Sequence, residues 1–213
     1  MSYQSITARI LIDIKAINFN FDDPYTLTSG KKSPVYVDCR KIISFTRERN
    51  QIISFAESYF TENNIEFDIL AGGETAGIPY ASILAERLNK PMIYIRKKPK
   101  KFGKRSQIEG YFKDKQKCIL IEDLATDGKS KAMFINAMRE NKLQVKDTFV
   151  IFYYDIFDIS KTPLAVLDVK MHYLCTWKNI INMLQKNRIL SNNEIENLKF
   201  FLSKPEKWRQ LHE

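Results

Sequence analysis

Ile6, Ile10, Ile14 and Ile17 recur at helical spacing, so the amino-terminal segment reads as an amphipathic helix. Beyond it, YTLTSGKKSPVYVDCR is punctuated by Ser-Gly and Ser-Pro pairs and ends in an alternating VYVD strand. Ile52, Ile53, Phe55, Ala56, Tyr59 and Phe60 supply the apolar side of a helix over about residues 47–63. The pattern then becomes regular. FDILAGG is a short apolar strand ending in glycines, GIPYASILAERL a helix, PMIYI a strand, KCILIED a strand, KSKAMFINAMREN a helix and DTFVIFYYD a strand. These strands are apolar throughout rather than alternating, and helices separate them, which predicts a parallel sheet covered on both faces. The fold class is α/β: a doubly wound, mostly parallel sheet with flanking helices. Such sheets bind ligands at the carboxyl ends of their strands. After residue 174 the chain reads as helical, with Ser191 and Glu194 spaced as a capping box in SNNEIENLKFFL.

Length and composition narrow this picture. The chain has 213 residues, 44% of them hydrophobic, with only 7 Gly and 7 Pro, which suits one domain with little disorder. We divide it into residues 1–45, an α/β core over 46–170, and a helical extension over 171–213. Cys39, Cys118 and Cys175 lie far apart without CxxC spacing, and two histidines are too few for a thiolate and imidazole metal cluster. Buried reduced thiols are expected, and neither His172 nor His212 is assigned to catalysis. MSYQSITARILIDIK lacks a basic region before its apolar stretch, which Asp13 breaks, so it does not read as a signal peptide. FVIFYY is too short to span a bilayer, and a cytoplasmic protein without membrane contact is expected.

Charge is concentrated in one place. Seven basic residues (Arg96, Lys97, Lys98, Lys100, Lys101, Lys104, Arg105) and no acid fall between 95 and 107, so of the net charge of +9 only +2 remains for the rest of the chain. With Pro99 and Gly103 inside it and no apolar periodicity, this segment reads as a mobile, strongly positive loop.

Three segments thus fall at strand ends: AGGETAG, the basic loop and EDLATDGKS. In TDGKS, where a strand turns into a helix, backbone N–H groups converge at the positive end of a helix dipole, and a phosphate is the natural occupant. The segment is not a Walker loop, since Asp123 stands where the first glycine belongs, and it is not GxGxxG. Glu122 and Asp123, just ahead of the phosphate nest, can accept hydrogen bonds from a vicinal diol. The glycine turn, with Glu74 and Thr75, offers further backbone donors. A ligand with a phosphate, a ribose and a polyphosphate uses all three, and phosphoribosyl pyrophosphate (PRPP) is that ligand.

ILIEDLATDGKS resembles the PRPP motif of type I phosphoribosyltransferases. With TSGKKSPVYVDCR, GGETAGIP and RKKPKKFGKRSQIEG in this order, residues 25–155 resemble the orotate phosphoribosyltransferases. The resemblance implies their fold, with residues 1–45 as a hood over the base, and their reaction, transfer of the phosphoribosyl group from PRPP to orotate in pyrimidine synthesis. It implies that Glu122 and Asp123 hold the ribose hydroxyls, that Leu124, Ala125, Thr126, Asp127, Gly128, Lys129 and Ser130 form the phosphate loop, and that Thr126 also touches the pyrimidine. Arg96, Lys97 and Lys100 are implied to close over pyrophosphate, the loop over 96–110 reaching a neighbouring subunit's site in a homodimer. Arg96, Lys100 and Asp123 are the residues implied to serve the chemistry. Magnesium is implied as cofactor, carried by PRPP without a protein ligand of its own.

At several positions the chain departs from the family: Thr28 and Ala76 stand where lysines are common, Phe102 where a histidine or tyrosine is common, and Tyr154 and Asp155 where an arginine grips orotate. Arg40 and Lys31, or Lys32, are the expected substitutes for gripping the orotate carboxylate. Asp127, an acid inside an anion nest, is expected to turn away and cap the helix, or to assist magnesium indirectly. Two other readings are possible: the same fold acting on another base or binding PRPP as a regulator, and a nucleic-acid-binding protein using the basic loop. Only Phe102 and Tyr111 lie near that loop for stacking, which argues against nucleic acid.

Overall fold

The computed structural model describes residues 2–27, 30–99, 107–156 and 158–212. Its elements are α1 (Tyr3–Asp13), β1 (Ile17–Phe19), β2 (Tyr25–Thr26), β3 (Lys32–Ser33), β4 (Val35–Val37), α2 (Thr46–Glu62), β5 (Ile69–Gly73), α3 (Gly77–Arg87), β6 (Met92–Ile95), β7 (Ile108–Glu109), β8 (Lys117–Ala125), α4 (Lys129–Glu140), β9 (Gln144–Tyr153), α5 (Pro163–Val166), β10 (Lys170–Thr176), α6 (Trp177–Lys186), α7 (Asn192–Ser203) and α8 (Pro205–Gln210). They form two compact units, one of residues 46–174 and one of residues 1–45 with 175–213.

The first unit is built on a six-stranded sheet of order β10-β9-β8-β5-β6-β7. β5 runs parallel to both β6 and β8, β8 runs parallel to β9, and β7 returns antiparallel along β6. From β5 the chain steps one way through α3 to β6, and from β8 the other way through α4 to β9. Right-handed crossovers then place α3 and α4 on opposite faces, so the central strands are buried on both sides. This is why ILAGG and nearly all of KCILIEDLA are solvent-shielded and why neither alternates with polar residues. α4 lays Phe134, Ile135 and Met138 into a core with Ile69, Leu120 and Val150. Phe60 of α2 meets Phe149 of β9 edge-on at 4.9 Å.

In the second unit α1 packs along α6, and α6, α7 and α8 pack in succession. The hairpin of β2 and β3 is tied to α8, because Arg209 Nε donates to the Lys32 carbonyl at 3.0 Å. The capping box of α7 forms as its sequence predicts, with Ser191 Oγ accepting from the Glu194 amide at 3.3 Å.

One boundary departs from the periodicity. Ile17 continues the helical spacing, but α1 stops at Asp13 and Ile17 opens β1, paired with Val37. Lys15 has φ of 53°, which turns the chain out of the helix so that Ile17 is buried from a strand instead. Among the described residues, no helix is long and apolar enough to cross a membrane.

Candidate active site

The carboxyl ends of β8, β5 and β6 are neighbours in the sheet, so the acid pair, the glycine turn and the start of the basic segment meet on one side of it. β5 leaves the β8 ladder at Ile121, whereas β9 follows β8 to Ala125. Glu122 and Asp123 therefore lie inside a strand rather than just past its end, and each is only 6% exposed.

Two adjacent buried carboxylates need compensation, since removing an unpaired charge from water costs several kcal/mol. Lys131, in the first turn of α4 and 5% exposed, supplies it. Its Nζ donates to Glu122 Oε2 at 3.1 Å, to the Leu124 carbonyl at 2.5 Å and to Ser130 Oγ at 3.4 Å. The other Glu122 oxygen, Oε1, has no hydrogen-bond partner among the described residues and lies beneath the glycine turn. A Cβ on Gly73 would sit 1.9 Å from Oε1 and one on Gly77 2.9 Å from it, so this carboxylate is what the two glycines make room for. Burial, with a smaller push from Asp123, raises the Glu122 carboxyl to about 7 against the pull of Lys131 and Lys97. Asp123 Oδ1 accepts the Leu124 N–H at 2.8 Å.

The loop after β8 turns at Gly128, whose φ of 79° is left-handed and which caps α4 without a side chain. Asp127 contacts Lys129, the first residue of α4, twice: Oδ1 accepts its N–H at 3.1 Å and Oδ2 lies 3.0 Å from its Nζ, while Gly128 is the N-cap. Despite partial burial, these hydrogen bonds hold the Asp127 carboxyl below the usual carboxylate range. A cavity of about 330 Å³ adjoins Thr126, Asp127 and Gly128 and is lined also by Tyr153, Leu164 and Tyr173.

In the glycine turn one expected backbone donor is already used, because the Glu74 N–H donates to the Ile95 carbonyl at 2.8 Å. Glu74 Oε2 in turn accepts the Lys97 N–H at 2.6 Å, fastening the turn to the start of the basic segment. The Glu74–Thr75 peptide is cis. At the base of that segment the Arg96 N–H donates to the Gln107 carbonyl and Gln107 Nε2 to the Arg96 carbonyl, each at 2.8 Å. Arg96 Nη1 lies 3.9 Å from Glu109 Oε1. Lys100, Phe102 and Thr28 lie outside the described residues.

Arg40 and Lys31 belong to the other unit. Arg40 Nε donates to Asp38 Oδ1 at 2.6 Å and Nη2 to the Tyr36 hydroxyl at 3.3 Å, while Lys31 Nζ contacts Glu206 Oε1 at 2.8 Å. At the end of β9, the Tyr154 N–H donates to the Ala125 carbonyl at 2.9 Å, and Asp155 has φ of 51°. Cys39, Cys118 and Cys175 are buried, and none is in a disulfide among the described residues. His172 holds Asp147 through Nε2 at 2.7 Å and the Tyr59 hydroxyl through Nδ1 at 3.2 Å. Among the described residues no three His, Cys, Asp or Glu side chains cluster to hold a metal.

Lys131 is the site residue that motif reading passed over. Its signal was present: it precedes Phe134, Ile135 and Met138 by three, four and seven positions, so it lies on the buried face of its helix. A lysine on an apolar stripe needs an anion, and Glu122 is within reach.

No family model matches the chain. An orotate phosphoribosyltransferase from Ruegeria is 44% identical over 209 residues, covering 97% of this chain and 92% of the relative. The crystal structure of orotate phosphoribosyltransferase from Aeropyrum pernix matches with a TM-score of 0.71 at 25% identity, over 86% of this chain and 99% of that one. The structure of Leishmania donovani UMP synthase matches with a TM-score of 0.78 at 25% identity, over 94% of this chain but 42% of that longer one.

Proposed function

The chain belongs to the orotate phosphoribosyltransferase family, and we propose that it performs the reaction for which the family is named: PRPP and orotate give orotidine 5′-monophosphate and pyrophosphate, a step of pyrimidine synthesis. The observation that carries this reading is the meeting of Glu122–Asp123, the loop over Thr126–Ser130, the Gly72–Gly77 turn and Arg96–Lys97 at three adjacent strand ends.

In this reading the backbone of the loop and Ser130 hold the 5-phosphate at the N-terminus of α4, where partial positive charge gathers. Asp127 helps to fix the loop through the Lys129 amide. The buried end of β8 orients the ribose, and the glycine turn with Arg96, Lys97 and Lys100 receives the pyrophosphate. The C1–oxygen bond to pyrophosphate breaks as a ring nitrogen of orotate bonds to C1, with positive charge spread over C1 and the ring oxygen. A carboxylate close to the sugar favours that charge, and cations at the leaving group favour the negative charge that develops there. No side chain has to act as a covalent nucleophile. Arg40 retains guanidinium donors beyond those engaged by Asp38 and Tyr36, which suits it to a carboxylate such as that of orotate.

Magnesium fits as a passenger on PRPP. The acids of the site offer oxygen donors, which suit this hard cation, and one oxygen of Glu122 has no hydrogen-bond partner among the described residues. Glu122 and Asp123 are then the carboxylates that would meet the ion, directly or through water. When bound it would neutralise charge on the leaving pyrophosphate. The reading extends to a homodimer in which residues 96–110 serve the neighbouring site, and to a cytoplasmic enzyme.

Incubation with orotate, PRPP and magnesium, followed by the ultraviolet loss of orotate, tests the proposal. Turnover with orotate and none with adenine or hypoxanthine is expected. Turnover with a purine alone would move the chain to another base, PRPP binding without turnover would make it a regulator, and neither activity with salt-sensitive RNA binding would favour nucleic acid.

A further inference from the structure

We propose that a cavity where β8, β9 and β10 begin is a second binding site, for a small phosphate ester that also carries hydroxyl groups. It lies at the other end of β8 from the acid pair: at about 3.3 Å per residue, Lys117 stands roughly 26 Å along the strand from Ala125. Its occupant is therefore separate from whatever fills the active site.

The cavity has a volume of about 350 Å³, and its lining includes Lys117, Gln144, Lys146, Asp147, Lys170 and His172. That volume suits a small ligand. A break in the pairing of β8 with β9 shapes it. Lys117 pairs with Gln144 and Ile119 with Asp147, so Val145 and Lys146 together stand opposite Cys118 alone. Such a bulge is uncommon between parallel strands, and it re-aims side chains: the neighbours Lys146 and Asp147 both line the cavity instead of alternating across the sheet.

Charge then selects the ligand. Lys117 is already paired, its Nζ 2.7 Å from Glu66 Oε2. Lys146 and Lys170, on the neighbouring strands β9 and β10, have no ion pair among the described residues. Two free ammonium groups beside one cavity suit a phosphate. Asp147 adds a different requirement. His172, only 1% exposed, holds Asp147 Oδ1 through Nε2 at 2.7 Å and is itself steadied by the Tyr59 hydroxyl at 3.2 Å. The Asp147 side chain is nevertheless 27% exposed, and its second oxygen accepts no hydrogen bond among the described residues. A fixed carboxylate next to two lysines repels a bare anion but accepts hydrogen bonds from hydroxyl groups. A phosphate at one end and hydroxyls at the other answer both demands.

Ribose 5-phosphate is the probe, titrated into the full chain. The chain has two histidines, so histidine labelling gives a nuclear magnetic resonance signal local to the cavity from His172 and a control from His212. The His172 signal should move and saturate while that of His212 stays. Lys146→Ala combined with Lys170→Ala should weaken the response about tenfold or more, and inorganic phosphate should bind wild type about tenfold more weakly than the ester, having no hydroxyl-bearing carbon chain for Asp147. Circular dichroism should show the double variant folded, since neither lysine holds an ion pair; the pair of glutamine substitutions at the same positions serves if it is not. A silent His172, or a response undiminished in the folded variant, would overturn the site. Equal affinity for inorganic phosphate would overturn the ligand class. The transfer reaction is read separately by turnover of orotate, so either result leaves the reading of the active site standing.

Discussion

At the scale of the residue, Glu122 carries a thermodynamic signature. Its carboxyl titrates at the ordinary 4.5 in the unfolded chain and at about 7 in the folded one. Between these values the folded protein keeps a proton that the unfolded chain has lost, so this group makes stability fall as pH rises through that window and adds no slope above it. Denaturation of wild type and Glu122→Gln at about pH 5 and about pH 8 checks this: the fall should be smaller in the variant, and an equal fall would contradict it. Arg40→Ala should raise the KM for orotate with little change in that for PRPP, read from initial rates; an unchanged orotate KM would discard Arg40 as the grip on the carboxylate. Glu122, Asp123 and TDGKS were legible from the sequence because acids beside an apolar run and a Gly-containing loop are local patterns. Lys131 was not read from TDGKSK, because its partner lies nine positions back and becomes its neighbour only when α4 folds against β8. The occupied amide of Glu74 was illegible for a similar reason, since its acceptor, Ile95, belongs to the adjacent strand.

At the scale of the element, the glycines at the end of β5 set how closely the turn approaches β8. Gly73→Ala should be destabilising by about 1–3 kcal/mol, the usual cost of overpacking, and Gly77→Ala likewise, because its Cβ would lie 2.2 Å from the Ile121 carbonyl. Thermal or chemical denaturation measures this. Gly128→Ala has a different cause: the left-handed φ of 79° disfavours any L side chain by roughly 1 kcal/mol, and Leu164 stands 3.0 Å from the added methyl group. It should weaken phosphate binding as well as stability. Strands and helices of the α/β core were read from periodicity because burial on both faces erases alternation. β1 was not, because Ile17 fits two periods, and a left-handed turn at Lys15 decided between them.

At the scale of the whole molecule, the order β9-β8-β5-β6 turns three separated segments into one site: about fifty residues of chain lie between the glycine turn and TDGKS, yet parallel pairing ends their strands side by side. The α/β class was legible from alternating elements. The packing of α1 along α6 was not, since nothing local in either helix names its partner. A homodimer sharing its basic loop predicts that sedimentation gives a mass of two chains and that Lys100→Ala mixed with Asp123→Asn regains part of the activity, because one site in a mixed dimer draws both intact residues. The measurement that bears most directly on the account is kcat/KM for PRPP in wild type and Asp123→Asn, at saturating orotate and magnesium, with the circular dichroism and melting temperature of both. A loss of about a hundredfold or more with an unchanged fold is predicted; a folded Asp123→Asn protein as active as the wild type would contradict it.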